Sequence, residues 1–286
     1  MQKNKVPTYE ALSKPLTIFS YKWFKWGLVR FLLNTVGRLS KGISIGFRYG
    51  FDSGTMLDYV YENNPQGSFL IGKIIDKQYL NGPGWSGIRQ RKIHLKQILS
   101  TVIEANRKEN KNTVVMDVAS GPGRYLIETM REYEKYGLKV ICRDMDDNGL
   151  GLGCKLAGEL GIKGIKYEKA DAFSIEALKS ANPAPNVIIV SGLYELFTND
   201  DIVKKSMNNI ASVLKQGDYF IFTNQPYHPQ LELIARTLPN RLKEYWVMRL
   251  RPDNEVKLWA QKAGFTHIKT LLDTYSIFSV HLFQKP

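Results

Sequence analysis

Cysteine is nearly absent from this chain. Two thiols in 286 residues, Cys142 and Cys154, are too few for a disulfide framework and show no metal-binding spacing. Both read as small fillers of the interior, and a reducing compartment is the expectation. The histidines give no metal signal either. His94, His267 and His281 are scattered without the pairing a metal site needs, so no metal is expected. Long apolar runs are also missing. The most apolar early stretch, Tyr21 to Val36, is interrupted by Lys22, Lys25, Arg30 and Asn34, which excludes it as a spanning helix. The first fifteen residues are polar and broken by Pro7 and Pro15, unlike a secretory leader. Acid is scarce at the start, where residues 1–50 hold nine lysines and arginines against the single acid Glu10. No internal repeat or low-complexity tract is found.

What is present is ordinary in amount and uneven in sign. Apolar residues make up 43% and charged residues 23%, the proportions of a soluble globular protein long enough to bury a substantial core. Lys and Arg number 40 against 27 Asp and Glu, a net charge of +13. That sign suits an anionic partner: nucleic acid, a phospholipid surface or a phosphorylated small molecule.

Two textures divide the chain at about residue 111. Residues 1–111 read as helical. Over 16–39 the large apolar residues Phe19, Trp23, Trp26, Phe31, Leu32, Leu33 and Val36 alternate with basic ones at roughly helical spacing. The segment 14–39 is therefore basic and amphipathic, suited to a phospholipid interface or to core packing with a solvated basic face. Gly42, Gly46, Gly50 and Gly54 read as punctuation. Short helices are expected over Met56–Glu62 and Leu70–Tyr79, a turn at Asn81–Gly84, and an amphipathic helix from Ile88 to about Arg107.

Residues 112–286 alternate. Short apolar runs at Val114–Val118, Lys139–Cys142, Ile165–Tyr167, Val187–Val190 and Tyr219–Phe222 are separated by helical patterns near 124–136, 147–160, 174–180, 199–214 and 230–237. This spacing predicts a parallel sheet covered on both faces. After a helix over Asp253–Ala263, the runs Ile268–Leu272 and Ile277–Phe283 follow with no helix between them. The sheet is thus expected to end in an antiparallel pair.

The central signal is Asp117-Val-Ala119-Ser-Gly121-Pro-Gly123, where a buried strand meets a glycine turn that opens a helix. Gly121 and Gly123 let the backbone approach a ligand, and ligands of open parallel sheets bind at the strands' carboxyl ends. A dinucleotide fingerprint would want a small residue three positions beyond its second glycine. Leu126 stands there instead. Two companions strengthen the signal. Asp144, with Met145 beside it, ends the second strand, where a carboxylate can accept hydrogen bonds from ribose hydroxyls. Asp171-Ala172-Phe173 ends the third. Helix capping is the alternative role for both acids.

The pattern Asp-x-Ala-x-Gly-x-Gly resembles the first motif of class I S-adenosylmethionine-dependent methyltransferases. By that resemblance Asp117, Ala119, Gly121 and Gly123 shape the cofactor loop, Asp144 holds the ribose, and Asp171 with Ala172 or Phe173 receives the adenine. Met145 and Ser191 complete the set. From about residue 45 onward the chain also resembles a bacterial methyltransferase family sometimes fused to an α/β-hydrolase domain. The likeness is carried by Gly-Phe51-Asp52-Ser-Gly54, Gly84-Trp85-Ser-Gly-Ile88-Arg89, Ser191–Phe197, Asn224–Leu238 and Trp246-Val-Met-Arg249. It implies a lipid-related acceptor.

The fourth strand runs into Ser191-Gly-Leu-Tyr194-Glu195, and the fifth into Asn224-Gln-Pro-Tyr227-His228. Asn224-Gln-Pro-Tyr227 is similar to the Asn-Pro-Pro-Tyr signature of nucleobase amino-methyltransferases. That signature follows the fourth strand, however, and Asn224 follows the fifth, so base flipping is disfavoured. Tyr194, Glu195 and His228 are the candidates for a general base. Their alternative roles are a pocket wall, a helix-start cap and a turn hydrogen bond. Tyr79, Arg89 and Arg91 flank the Gly-Pro-Gly turn and are expected on the cofactor's methionine carboxylate or an anionic acceptor, with surface solvation the alternative for the arginines, and Tyr227 is expected on the acceptor.

The resulting expectation is a Rossmann-like α/β fold: a seven-stranded, mostly parallel sheet with an antiparallel C-terminal pair, preceded by a helical cap over the acceptor pocket. Residues 1–111 form the cap and 112–286 the methyltransferase domain. The cofactor is S-adenosylmethionine, and the acceptor an O or N of a small or lipid-like, partly anionic molecule. The enzyme is placed in the cytoplasm, with residues 14–39 touching an anionic membrane from its inner side. An RNA methyltransferase is the first alternative, which the charge would suit, although the basic residues form no known RNA-binding module. A non-catalytic cofactor-binding module is the second, and a nucleotide-dependent oxidoreductase the third.

Overall fold

A computed structural model describes residues 7–286. In chain order the helices ahead of the sheet are α1 (Tyr9–Ser13), α2 (Tyr21–Asn34), α3 (Lys41–Tyr49), α4 (Gly54–Glu62), α5 (Phe69–Leu80) and α6 (Pro83–Lys108). Then follow β1 (Val114–Asp117), α7 (Arg124–Glu132), β2 (Lys139–Asp144), α8 (Asp147–Glu159), β3 (Ile165–Lys169), α9 (Ile175–Lys179), β4 (Val187–Val190), α10 (Asp200–Val213) and β5 (Tyr219–Asn224). Helices α11 (Leu231–Thr237) and α12 (Asp253–Lys262) and strands β6 (Thr266–Leu272) and β7 (Ser279–Gln284) complete the chain. By compactness it divides into two units, Met1–Arg89 with Tyr227–Leu250, and Gln90–Pro226 with Arg251–Pro286. The division falls inside α6 and gathers Tyr227–Leu250 with the N-terminal helices.

In the first unit, serines start the helices. Ser20, Ser40 and Ser53 each accept the N–H of the residue three positions on, satisfying a donor that the first turn leaves unpaired. Helix α3 was not expected, because its glycines read as punctuation. They serve packing instead: a methyl on Gly46 would overlap the ring of Phe51, and one on Gly42 would press against Asp76. The turn between α5 and α6 is shorter than expected, since Pro83 and Gly84 already belong to α6, with proline at the first helical position, where its missing N–H costs nothing.

Asp76 on α5 is the polar hub of this unit. Its carboxylate is fully buried and accepts from the Ser40 hydroxyl at 2.5 Å, the Gly42 N–H at 2.7 Å, the Tyr59 hydroxyl at 2.5 Å and the Gln66 N–H at 2.8 Å. It thereby ties α5 to α3 and α4.

The second unit is the seven-stranded sheet, in the order β3-β2-β1-β4-β5-β7-β6. The first five strands are parallel, and β7 runs antiparallel to both β5 and β6. This is the mostly parallel Rossmann-like sheet that the alternation of runs predicts. Alternation along each strand sends side chains to two cores. Met116, Ile141, Ile188, Phe220 and Phe222 meet α10 and α12 on one face. Val115, Val140, Ile189 and Ile221 meet the stripe Leu95, Leu99 and Val102 of α6, with Leu126 of α7, on the other. One thiol expectation fails: Cys142 is buried, but Cys154 is exposed, because α8 turns that position to solvent.

Strand β1 lies between β2 and β4, so the order reverses beside it, and the carboxyl end of the strands at such a point is where open parallel sheets bind ligands. The glycine turn follows β1 directly.

Replacing Asp76 by leucine removes the acceptor of four donors at once. Asp76→Leu is expected to lower stability by at least about 3 kcal/mol, read as a drop in the urea midpoint. An unchanged midpoint would show that these donors find other partners.

Candidate active site

The site is built at the carboxyl edge of β1, β2, β4 and β5, within the second unit. After Asp117 the chain bends through Gly121 and Gly123, with φ of 52° and 67°, the left-handed region that glycine enters without strain. A Cβ at Gly123 would lie 2.9 Å from the Cys142 Sγ. Across the turn, the Asp144 carboxylate accepts the Gly121 N–H at 2.8 Å and the Asp146 N–H at 3.0 Å. Asp144 is therefore a loop-holding acid, and Asp146 caps α8.

The turn is also held from the side. Tyr167 donates its hydroxyl to the Pro122 carbonyl at 3.1 Å. A methyl on Gly153 of α8 would overlap both that carbonyl and the Tyr167 ring. Sequence reasoning missed Gly153 and Tyr167. The glycine richness of α8 was the available signal.

Asp117 is fully buried. It accepts the Ala119 N–H at 3.1 Å and the Tyr125 hydroxyl at 2.6 Å. Burial outweighs these donors and lifts its pKa from 3.8 to about 7. Asp171 is exposed and accepts the Phe173 N–H at 2.9 Å, while Ser174 supplies the cap of α9. Ala172 is buried, Phe173 packs edge-on to Phe197 at 4.7 Å between ring centres, and Met145 is exposed.

Beyond β4, Ser191 is half-buried and Gly192 takes φ of 70°. The Gly192 N–H donates to the Thr223 Oγ1 at 2.8 Å, and that hydroxyl donates to the Glu195 Oε1 at 2.7 Å. The same oxygen stands 3.7 Å from Nη1 of the buried Arg91. The guanidinium also lies over the Phe278 ring, 4.9 Å from its centre, and close to where a Gly192 side chain would be. Glu195 Oε2 is buried without a hydrogen-bond partner. Burial raises the Glu195 pKa, and Arg91 then Thr223 oppose it. Glu195 is not a helix cap. Arg251 fastens this loop, donating to the Tyr194 carbonyl at 2.9 Å and the Phe197 carbonyl at 2.6 Å, and pairing with Asp200 at 2.8 Å.

Arg91, a candidate from the sequence, is buried rather than solvated, and its position accounts for that. It lies three residues after Ile88 and four before Leu95, on the apolar stripe of α6, where an arginine must be paired.

The remaining candidates have other work. Tyr194 lies in the core, its hydroxyl 2.9 Å from the Ser206 Oγ and its ring against Phe222. Asn224 donates to the Arg251 carbonyl and the Asp253 carboxylate, each at 2.8 Å. The others belong to the first unit. His228 is buried, with its Nδ1 accepting the Gln230 N–H at 3.0 Å, the turn bond foreseen as its alternative. Burial lowers its pKa to about 4. Accepting at Nδ1 leaves the proton of the neutral ring on Nε2, so the ring presents a donor there. Tyr79 is walled by Phe51 and Trp85. Arg89 donates to the Leu80 carbonyl at 2.8 Å and the Ser86 hydroxyl at 3.1 Å, bracing the α5–α6 turn. Tyr227 is 38% exposed.

Folding raises the Asp117 pKa from 3.8 to about 7, so the folded state binds this proton more tightly than the unfolded chain. Its contribution to stability is therefore present at low pH and lost as pH rises through that window. Asp117→Asn is expected to gain urea-midpoint stability relative to the parent as pH rises from about 4 to about 7. A difference that stays constant with pH contradicts this.

Comparison with known proteins places these features in context. Residues 2–285 match the profile of a family described as "Putative methyltransferase". The protein YnbC of Escherichia coli K12, itself described as uncharacterized, is 38% identical over 256 residues, which are 89% of this chain and 44% of YnbC. The chain thus spans less than half the length of that curated relative. Among solved structures, a Bordetella parapertussis protein described as a possible exported protein aligns with a TM-score of 0.64 at 17% identity, over 82% of this chain and 79% of that one. Magnesium protoporphyrin IX methyltransferase from Synechocystis PCC 6803, solved with bound S-adenosylhomocysteine, aligns with a TM-score of 0.54 at 13% identity, over 91% of this chain and 99% of that one. At these identities the two structures share the fold.

Proposed function

The chain belongs to this methyltransferase family, and we propose that it transfers the methyl group of S-adenosylmethionine to an O or N of a small or lipid-like, partly anionic acceptor. The observation that carries the reading is the Asp144–Gly121 contact of 2.8 Å. It sets a carboxylate beside the glycine turn at the carboxyl edge of the sheet, where a nucleoside's sugar is expected. The lack of a side chain at Gly123 lets the turn lie directly against Cys142 of β2, which keeps Gly121 within reach of Asp144.

In this reading Asp144, oriented by two backbone N–H groups, has lone pairs left for the ribose hydroxyls. Met145 and Phe173 offer apolar surface to the base, and Asp171 an acceptor for its amino group. Arg91 is the cation for a carboxylate, that of the methionyl group or of an anionic acceptor. The cofactor supplies an activated methyl on a sulfonium, whose carbon–sulfur bond breaks as the acceptor's lone pair bonds to carbon. Holding acceptor and methyl in line accounts for up to about 7–11 kcal/mol of the barrier.

An acceptor that carries a proton needs a base, and Glu195 is the best suited of the three candidates. It offers a buried oxygen without a hydrogen-bond partner, and its raised pKa makes it more basic than an ordinary glutamate. The Tyr194 hydroxyl is engaged in the core, and His228 presents a donor.

The two free cysteines, one of them exposed, fit a reducing cytoplasm. Among the described residues no helix is long and apolar enough to cross a membrane.

The test is to incubate the full-length protein with methyl-tritiated S-adenosylmethionine and cell extract, then separate lipid, small-molecule, RNA and protein pools. Label is expected in the lipid or small-molecule pool. Its rate should rise with pH through the raised pKa of Glu195, and Glu195→Gln should lower it by about 10²–10⁴-fold and flatten that rise. Label in RNA favours the nucleic-acid alternative. No label in any pool favours a binding module. A Glu195→Gln profile identical to the parent removes Glu195 as the base.

A further inference from the structure

The first unit exposes apolar surface in one neighbourhood. On α2 the residues Tyr21, Phe24, Leu28, Phe31 and Leu32 share one face, at helical spacings of three, four, three and one. All are exposed, Tyr21 by 79% and Phe31 by 62%. The opposite face of α2 is the packed one, where Trp26 is 6% exposed. Of the two roles open to this segment in sequence, core packing with a solvated basic face does not describe it, because the face left to solvent is apolar.

A second exposed group stands beside it. Phe69, Leu70, Ile71 and Ile74 lie on α5, and Phe69 is 86% exposed. The two groups meet at the turn Val36–Leu39, which continues from α2. The Leu39 carbonyl accepts the Ser68 N–H at 2.8 Å, and Ser40 pairs with Gly67 as an antiparallel bridge. Gly67 and Gly72 close on that carbonyl, so a side chain at either would push α5 away. The glycines thus hold the start of α5 against Leu39, at the end of the turn on which Val36 is exposed.

The exposed charge carried by α2, the turn and α5 themselves has one sign. From Ala11 to Phe51 the sequence contains no acid. Lys25 lies on α2 four residues from Tyr21 and three from Leu28. Lys73 and Lys77 are exposed on α5, whose acid, Asp76, is buried. Arg38 and Lys41 are exposed along the turn. Lys22 is neutralised by Glu232 at 2.8 Å.

We infer that this surface docks on an anionic phospholipid bilayer, with the aromatic and aliphatic side chains in the acyl boundary and the lysines at the headgroups. A second copy of the chain fits it less well. A two-fold pairing would set the same basic rim against itself, and nothing acidic on α2 or α5 is free to answer it. The inference stands on the first unit alone and does not depend on the methyl-transfer reading.

The experiment is vesicle flotation of the full-length protein without cofactor, using vesicles of phosphatidylcholine alone and of phosphatidylcholine mixed with phosphatidylglycerol. The parent protein is expected to float with the anionic vesicles, and added salt should weaken this. The double variant Phe24→Asp, Phe31→Asp should reduce the bound fraction at least about tenfold, with unchanged circular-dichroism melting, because both positions are exposed. Lys25→Glu with Lys73→Glu should reduce binding to anionic vesicles and leave the weak binding to neutral ones unchanged. The inference is overturned if the parent protein stays at the bottom with both vesicle types. It is equally overturned if the Phe24→Asp, Phe31→Asp variant floats as the parent does. A parent dimer that this variant converts to a monomer, with no flotation of either, would assign the surface to a second copy.

Discussion

The carboxylate of Asp144 takes the Gly121 N–H at 2.8 Å, and the geometry of the carboxyl edge follows from that bond. It joins the tip of β2 to the turn after β1, so these two neighbouring strands end in one corner. A corner this tight needs small residues wherever backbone meets backbone. Gly123 passes over the Cys142 sulfur, and Gly153 brings α8 against the Pro122 carbonyl. Tyr167 reaches in from β3 to hold the same carbonyl. Gly121, Pro122 and Gly123 are all buried, so the turn is packed from below by β2 and from the side by α8 and β3.

On the other side of the corner the fold places charge where a purely structural protein would place hydrocarbon. Arg91 and Glu195 are both buried, 3.7 Å apart, and Asp117 nearby is buried with hydroxyl and amide donors but a pKa lifted to about 7. Burying ionisable groups is costly, and replacing such a pair with apolar residues is often neutral or stabilising. Asp117 at the end of β1 and Glu195 beyond β4 are held at that cost with raised pKa values, the kind of group that the proposed methyl-transfer site would use. Arg251 carries out the supporting task, fixing the loop that carries Glu195 through the carbonyls of Tyr194 and Phe197.

Much of this was legible in the sequence, because the sheet's signals are local. The apolar runs give all seven strands to within a few residues, and the glycine turn with its two following acids locates the corner. The end of β2 falls at Asp144, as counting along the strand implies, and the structure gives the capping of α8 to Asp146. What was not legible depends on contacts between distant residues. The glycines of α3 look like breakers until Phe51 is seen packed against Gly46. Tyr194 and Glu195 are adjacent in sequence but point to opposite fates, one into the core and one into the buried ion pair, and no period of two or of 3.6 distinguishes them in a single 3-10 turn. His228 has the intrinsic pKa of a base, yet one backbone N–H at 3.0 Å fixes which nitrogen carries the proton. The segment 14–39 shows its amphipathic character in sequence, but which face turns outward is decided by what packs against Trp26.

The account stands on the corner at Asp144 and Gly121 gripping an adenosyl group. Isothermal titration of the parent protein and Asp144→Ala with S-adenosylhomocysteine and with NADH measures this most directly. The account predicts saturable binding of S-adenosylhomocysteine, weaker by about 1–3 kcal/mol in Asp144→Ala, and no heat from NADH. Affinity unchanged by the substitution, or NADH binding more tightly than S-adenosylhomocysteine, would contradict it.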